Sequence, residues 1–174
     1  AGITSTQLER WLGDSSAVVR SMPNTPALLG AGVTGLFANA HVDAHGRQLA
    51  QALLSSAGQT VWIDDEARMD AVTGVSGSGP AYVFLLIEAL AAAGVAEGLP
   101  EEMAMRLARA TVGGAGQLAE SSDEGPAQLR VNVTSPAGTT AAALEVLMRE
   151  GDGLPALTRA AVAAAANRSR ALRG

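Results

Sequence analysis

The sequence predicts an α/β layer that gives way to an all-helical half, and two observations carry the prediction. Strand and helix patterns alternate as far as Ile63, the order that builds such a layer. Beyond Asp64 no convincing strand pattern remains, and helical runs follow one another between breaks at Gly74 to Gly77, Gly98 to Pro100, Gly125, Pro136 and Gly151 to Gly153. The change at Ile63 sets the expected domain division, 1–63 and 64–174, and a strand-helix stretch this short looks too thin to be a whole α/β domain.

Thr4 and Gln7 have the spacing of a capping box, which opens a helix over 4–12, and Ala17 to Arg20 reads as a short apolar strand. Met22-Pro23-Asn24-Thr25-Pro26 is a loop fixed by two prolines. Residues 32–38 are β-branched and aromatic enough for a second strand, Asp43 caps a helix ending near Gly58, and Thr60-Val61-Trp62-Ile63 makes a third strand. Helices are expected over 65–72, 79–93, 101–120, 126–132, 140–149 and 154–173. The alanine tract at 160–166 favours helix, with apolar packing as its simplest role.

At 174 residues and 48% hydrophobic composition the chain can supply a core. With 3% aromatic residues and 20 glycines, that core is expected to form by close approach of slim helices. The formal charge of −5, with every one of the 12 cationic residues a scattered arginine, argues against a nucleic-acid partner. No cysteine is present, which removes disulfides, thiolate catalysis and cysteine metal sites together, and the cytoplasm is the expected compartment. The apolar segment 81–96, interrupted by Glu88 and Gly94, is shorter than the ~20 residues a membrane span needs and reads as a buried helix. The opening Ala1-Gly2-Ile3 has neither an initiator Met nor a charged-then-apolar leader, and reads as the start of a chain cut from something longer.

The stretch most able to carry chemistry is Val133-Thr134-Ser135-Pro136-Ala137-Gly138-Thr139-Thr140, which leads directly into the helical run Ala141 to Leu147. Hydroxyls and a glycine at a helix N-terminus, beside unpaired N–H groups and the positive end of the dipole, form a socket for a small anion. The plain alternative is a helix whose Ser and Thr side chains cap their own first turn. Gly74-Val75-Ser76-Gly77-Ser78-Gly79-Pro80 does not fit a phosphate loop: its glycines run G-x-x-G-x-G, a helix precedes it, and the chain has no lysine. It reads as a sharp turn between helices, with Pro80 in the first helical turn. Gly113-Gly114-Ala115-Gly116 lies inside a helical pattern and reads as tight packing, across a subunit interface included. His41 and His45 lack metal-ligand or catalytic spacing and read as solvated, and no metal is expected. Asp64-Asp65-Glu66 complements a helix dipole, with Glu66 the functional candidate because it stands at the domain boundary.

Taken together, Arg20 to Pro26, the segment 74–82, Gly94-Val95-Ala96-Glu97-Gly98-Leu99-Pro100 and 133–147 resemble pyrroline-5-carboxylate reductase over nearly the whole chain. The resemblance implies the last part of a Rossmann-type dinucleotide-binding domain at 1–63, and at 64–174 an all-α dimerisation and substrate-binding domain like the C-terminal domain of 6-phosphogluconate dehydrogenase. It implies an oxidoreductase of proline biosynthesis, in the amino-acid biosynthesis class, that reduces 1-pyrroline-5-carboxylate to L-proline by hydride transfer from NADPH or NADH. The pyrophosphate-binding glycine fingerprint is not in this sequence, so the chain alone is expected to be silent. The partners implied are the small ring acid and a second copy of the chain, a homodimer that can stack into larger assemblies, with no nucleic acid and no membrane.

Carried over residue by residue, the resemblance gives Ser135, Gly138, Thr139 and Thr140 to the substrate carboxylate. It places the Thr140 hydroxyl near the ring nitrogen, as the catalytic candidate. Glu66 matches a substrate-site carboxylate, Asn132 a residue that reaches the cofactor, and the Met22 to Pro26 loop the segment near the nicotinamide. Ala137 stands where the family usually has glycine, which is tolerated at negative φ and narrows the socket otherwise. Two other readings remain: a non-catalytic helical dimerisation module, and a dehydrogenase of the 6-phosphogluconate dehydrogenase-like type acting on another small acid.

Overall fold

The computed structural model describes residues 1–173, in three strands and eight α-helices joined by short 3₁₀ segments. Helix α1 (Ser5–Leu12) opens as the capping box requires: Thr4 accepts from the Gln7 N–H, and the Gln7 side chain accepts from the Thr4 N–H at 2.8 Å. Strand β1 (Val19–Met22) pairs antiparallel with β2 (Gly32–Ala38), and β3 (Gly58–Trp62) lies parallel to β2 through the crossover helix α2 (Ala44–Leu54). The Asp43 side chain caps α2 by accepting from the Gly46 N–H at 2.7 Å. The first strand runs later than the 17–20 expected. Val18 is bonded to the Asn39 side chain, so the ladder starts at Val19, and Pro23, which has no N–H, stops it after Met22.

The segments after β3 differ from the sequence reading in one respect that matters. A 3₁₀ turn (Glu66–Arg68) leads into α3 (Met69–Val72), and the break expected at Gly74 to Gly77 is instead a π-helical turn (Thr73–Gly77) that continues into α4 (Gly79–Ala96). The Ser78 N–H donates to the Thr73 carbonyl at 2.8 Å. The hydroxyls of Thr73 and Ser76 donate back to the carbonyls of Met69 and Val72 at 2.9 and 3.0 Å. Widening the helix by one residue absorbs the missing N–H of Pro80, so the chain passes through without a corner. The resulting run, Glu66–Ala96, is 31 residues and by length and composition alone is apolar enough to cross a membrane, longer than the segment 81–96 suggested.

Helices α5 (Glu101–Ser121), α6 (Pro126–Asn132), α7 (Thr139–Leu147) and α8 (Leu154–Ala171) follow close to their expected bounds. By internal packing the chain forms two compact units, Ala1–Pro80 with the chain from Arg159 onward, and Ala81–Thr158. They divide elsewhere than the change of composition after Ile63, because α3 packs on β2 and the second half of α8 packs on α3, Gly74 and the start of the chain.

In the strand-bearing unit Leu36 and Met69 are fully buried, beside Val18 and Ala38. Asp70 is 1% exposed; its carboxylate accepts from Ser169 Oγ at 2.8 Å, pairs with Arg173, and has the more exposed Arg170 at 3.9 Å. The C-terminal turns of α8 are thereby tied to α3. In the other unit the core is thin: Ala91, Ala104 and Ala108 are buried, and α4 meets α5 where a Cβ on Gly94 would come within 3.3 Å of the Ala104 Cβ. The close approach expected of slim helices is realised there. Within one copy it is not realised at Gly113, Gly114 and Gly116, where, among the described residues, no other part of the chain lies within 4 Å of the Cβ position. Nor is α4 the buried helix expected, since Phe84 and Leu85 are 57% and 64% exposed. Those faces have no cover within one copy.

Asp70→Ala is expected to lower the unfolding free energy by about 3 kcal/mol, because it leaves Arg173 and Ser169 without their acceptor. Arg170→Ala, removing a long and solvated contact, should change it by less than about 0.5 kcal/mol, both read by urea titration.

Candidate functional site

The hydroxyl-rich turn between α6 and α7 is built by local sequence. Thr134 closes the end of α6 by donating its Oγ1 to the Arg130 carbonyl at 2.6 Å, and the Gly138 N–H donates to the Ser135 carbonyl at 3.1 Å. Ser135-Pro136-Ala137-Gly138 is thus a four-residue turn, with proline at its second position and a residue at φ +56° at its third. That third residue is Ala137, in the left-handed region where a Cβ costs about 1–2 kcal/mol, so the case foreseen for a positive φ applies and the methyl sits in the turn. At Gly138 a Cβ would stand against Ser135 Oγ and 3.1 Å from the Ser135 carbonyl, so a larger residue needs the Ser135 side chain to turn away.

No side chain caps α7. The alternative in which Ser and Thr satisfy their own helix is therefore not realised, and the N–H groups of its first turn face outward with the positive end of the dipole. Ser135 and Thr139 are exposed, Gly138 and Thr140 half-buried. The arrangement can take a small anion, with backbone amides and hydroxyls as donors.

Asn132, at the end of α6, is exposed and firmly oriented. Its Nδ2 donates to Glu124 Oε2 at 2.7 Å and its Oδ1 accepts from Gln128 Nε2 at 2.8 Å. Sequence reasoning missed both partners; Gln128 was findable as the residue one helical turn before Asn132.

Glu66 belongs to the strand-bearing unit and is not free. Its Oε1 accepts from the Ser5 N–H at 2.7 Å and from Arg20 Nη1 at 2.9 Å, and its Oε2 accepts from Ser5 Oγ at 2.7 Å. Burial pushes this carboxyl up, but the two Ser5 bonds and the charged Arg20 outweigh it, and its pKa lies below the ordinary glutamate value. Arg20, 5% exposed, is a further residue that sequence reasoning did not single out for a role of its own. It lies on β1 just before the Met22 to Pro26 loop, which runs through an extended Asn24 into the 3₁₀ turn Thr25–Leu29. His41 and His45 are exposed, as expected. A separate apolar groove of about 510 Å³, lined mainly by Val33, Val61, Ile63, Val72 and Val75, holds none of the candidate residues.

Residues 66–172 match the family described as pyrroline-5-carboxylate reductase dimerisation. The chain is 52% identical over 172 residues to a pyrroline-5-carboxylate reductase of Pseudomonas aeruginosa, covering 99% of this chain and 62% of that protein. Its fold superposes on a solved pyrroline-5-carboxylate reductase from Coxiella burnetii with a TM-score of 0.94 at 43% identity, over 99% of this chain and 63% of that one. A pyrroline carboxylate reductase of Plasmodium falciparum, solved with NADP bound, gives 0.86 at 35% identity, over 99% and 65%. The chain therefore spans less than two thirds of the length of these relatives.

Ala137→Gly is expected to stabilise the turn by about 0.5–1 kcal/mol, the relief of left-handed strain exceeding the added entropy of the unfolded chain. Slower hydrogen exchange of the Gly138 amide, or a higher urea midpoint, would register it.

Proposed function

We propose, because the chain belongs to the pyrroline-5-carboxylate reductase family, that the protein carrying this sequence reduces 1-pyrroline-5-carboxylate to L-proline with NADPH or NADH, in proline biosynthesis. The observation that carries the reading is the uncapped N-terminus of α7, opening on Ser135, Gly138, Thr139 and Thr140. The substrate is a five-membered ring with one carboxylate and one imine, and a neutral cradle of amides and hydroxyls suits the carboxylate without an opposing lysine or arginine.

The nicotinamide cofactor, when bound, supplies the hydride. The chain's residues orient and solvate around that event. The α7 turn holds the carboxylate, and the Thr140 hydroxyl faces the ring nitrogen, donating to its lone pair or accepting from its N–H as the C=N bond becomes a C–N bond. Asn132, held by Glu124 and Gln128, presents a fixed amide toward the cofactor. The Met22 to Pro26 loop carries no charged side chain and two prolines, a stiff neutral surface that fits a flat nicotinamide amide. Glu66 belongs to this reading as a carboxylate of the reaction site already bound to Arg20 and Ser5. Residues 1–63 are the last part of a dinucleotide-binding domain and 64–174 the dimerisation and substrate domain, a division supported by the family match from residue 66. The pyrophosphate is held by residues outside this sequence, and the chain by itself is catalytically silent.

A homodimer is the partner this reading gives the chain, and the uncovered helices and the match to a dimerisation family support it. A lipid cover would suit α4 but not α5, which carries Glu101, Glu102, Arg106 and Arg109 beside its bare glycines, whereas a second copy can cover both. In this reading the enzyme works in the cytoplasm, with no nucleic acid and no membrane among its partners.

L-Proline at about ten times its Kd should stabilise this chain by about 1.4 kcal/mol and raise its Tm, and Thr140→Ala should abolish the rise. No rise at millimolar proline would favour the non-catalytic dimerisation module. Light scattering should return a dimer at micromolar concentration, and a monomer there would remove the assembly from the proposal.

A further inference from the structure

The Met22 to Pro26 loop has little hydrogen bonding of its own, because Pro23 and Pro26 have no N–H, so its shape depends on groups that hold it from outside. Three do. Arg20, two residues ahead of Met22, gives Nη1 to Glu66 at 2.9 Å. The terminal methyl of Met22 rests on the π-helical turn, where a Cβ on Gly77 would come within 2.6 Å of it. Asn24 Oδ1 accepts from the Val33 N–H at 3.0 Å, and the Asn24 carbonyl accepts from the Ala27 N–H at 3.1 Å.

Of these anchors the first is the charged one and the costliest to disturb. Arg20 is buried, its side chain 6% exposed, so losing the carboxylate would strand a guanidinium in the interior or pull the end of β1 outward with it. Glu66 is in turn fixed by both the N–H and the hydroxyl of Ser5, at the start of α1, and both of its oxygens already accept from Ser5 or Arg20. A carboxylate so committed suits support of a neighbouring surface better than direct grip of a ligand that carries a carboxylate itself.

We infer that Glu66 is a positioning residue for the cofactor side of the reaction, fixing through Arg20 the loop Met22 to Pro26. The inference rests on the reductase reading and changes the part Glu66 plays in it, from substrate ligand to support. Because the contact acts through the loop's shape, its loss should appear as poorer cofactor binding rather than poorer grip on the ring acid.

The first test is hydrogen exchange on the chain itself. With Glu66→Gln the amides of Ala27 and Val33 should exchange about tenfold faster, the loss of a charge-assisted bond, while those of α5 and α6 stay as they were. Glu66→Asp should recover part of the protection. Should Glu66→Gln fail to fold, Arg20→Lys keeps the charge and loses the planar fork, and it should move the same two amides in the same direction. In the reductase carrying this sequence, Glu66→Gln should raise KM for the reduced nicotinamide nucleotide about tenfold and leave KM for 1-pyrroline-5-carboxylate within about twofold. Unchanged exchange at Ala27 and Val33 would overturn the inference, and so would a rise confined to KM for the ring acid. If the unsubstituted protein turns over no 1-pyrroline-5-carboxylate, the reductase reading fails and the cofactor role of Glu66 with it, while the exchange result still decides whether Glu66 sets the loop.

Discussion

Two carboxylates one helical turn apart, Glu66 and Asp70, decide where three separate segments of the strand-bearing unit dock. Glu66 collects the start of α1 and the end of β1 through Ser5 and Arg20, and Asp70 collects the C-terminal turns of α8 through Ser169 and Arg173. A desolvated carboxylate recovers its hydration only if donors reach it in good geometry, so each one specifies its partners more strongly than it adds net stability. The result is that residues 5, 20, 169 and 173 converge on a single short stretch after β3. A segment that docks out of register leaves a buried charge unpaired, and the penalty is steep enough to exclude the alternative.

That stretch can serve two masters because the chain stays helical beyond it. Were the glycines at 74 and 77 a corner, Met69 and Asp70 would sit on an isolated turn with little to hold its direction. The π-helical turn brings two bare backbone positions against neighbours: Gly74 lies under Val162 of α8, and Gly77 under the methyl of Met22. Thr73, Gly74, Ser76 and Gly77 are thus spent on the packing and bonding of the helix itself. Their hydroxyls are turned back onto the preceding turn of helix and are not available to a ligand.

What was legible in the sequence is what local chemistry determines. The capping box of Thr4 and Gln7, the Asp43 cap, the second strand and the bounds of α6 were readable because each depends on neighbours within a few residues. The hydroxyl-rich turn before α7 was legible as a location, and its four candidate residues were named from the resemblance. Whether Ser and Thr would cap the helix or leave it open was not, since both arrangements use the same residues. The π-helical turn was missed because glycine spacing signals a break and gives no sign of hydroxyl groups stitching it closed. Arg20 and Glu124 were missed for a different reason: each gains its meaning from a partner, 46 residues away for Arg20 and across a helix for Glu124. Ala137 lies between these cases, its positive φ following from the turn that Pro136 begins, yet decided only once the Gly138 N–H bonds to Ser135.

The uncovered helices bear on the α7 turn as well as on assembly. The turn lies in the unit whose own core is three alanines, and α5, α6 and α7 are held within one copy mainly by their own backbone bonds. Helices of seven and nine residues such as α6 and α7 are too short to persist on propensity alone, since nucleation is costly and each adds few bonds. Their persistence must come from burying Val131, Val146 and Leu147, which are about half exposed in a single copy. In the dimer proposed above, the second copy would supply that burial, and the geometry of the carboxylate socket would then depend on protomer concentration through the same equilibrium that forms the interface. In that proposal the α7 turn and the association surface would form one thermodynamic unit: a ligand that stabilised the first turn of α7 would pull the equilibrium toward the dimer, and dilution would loosen the turn before any residue in it was altered.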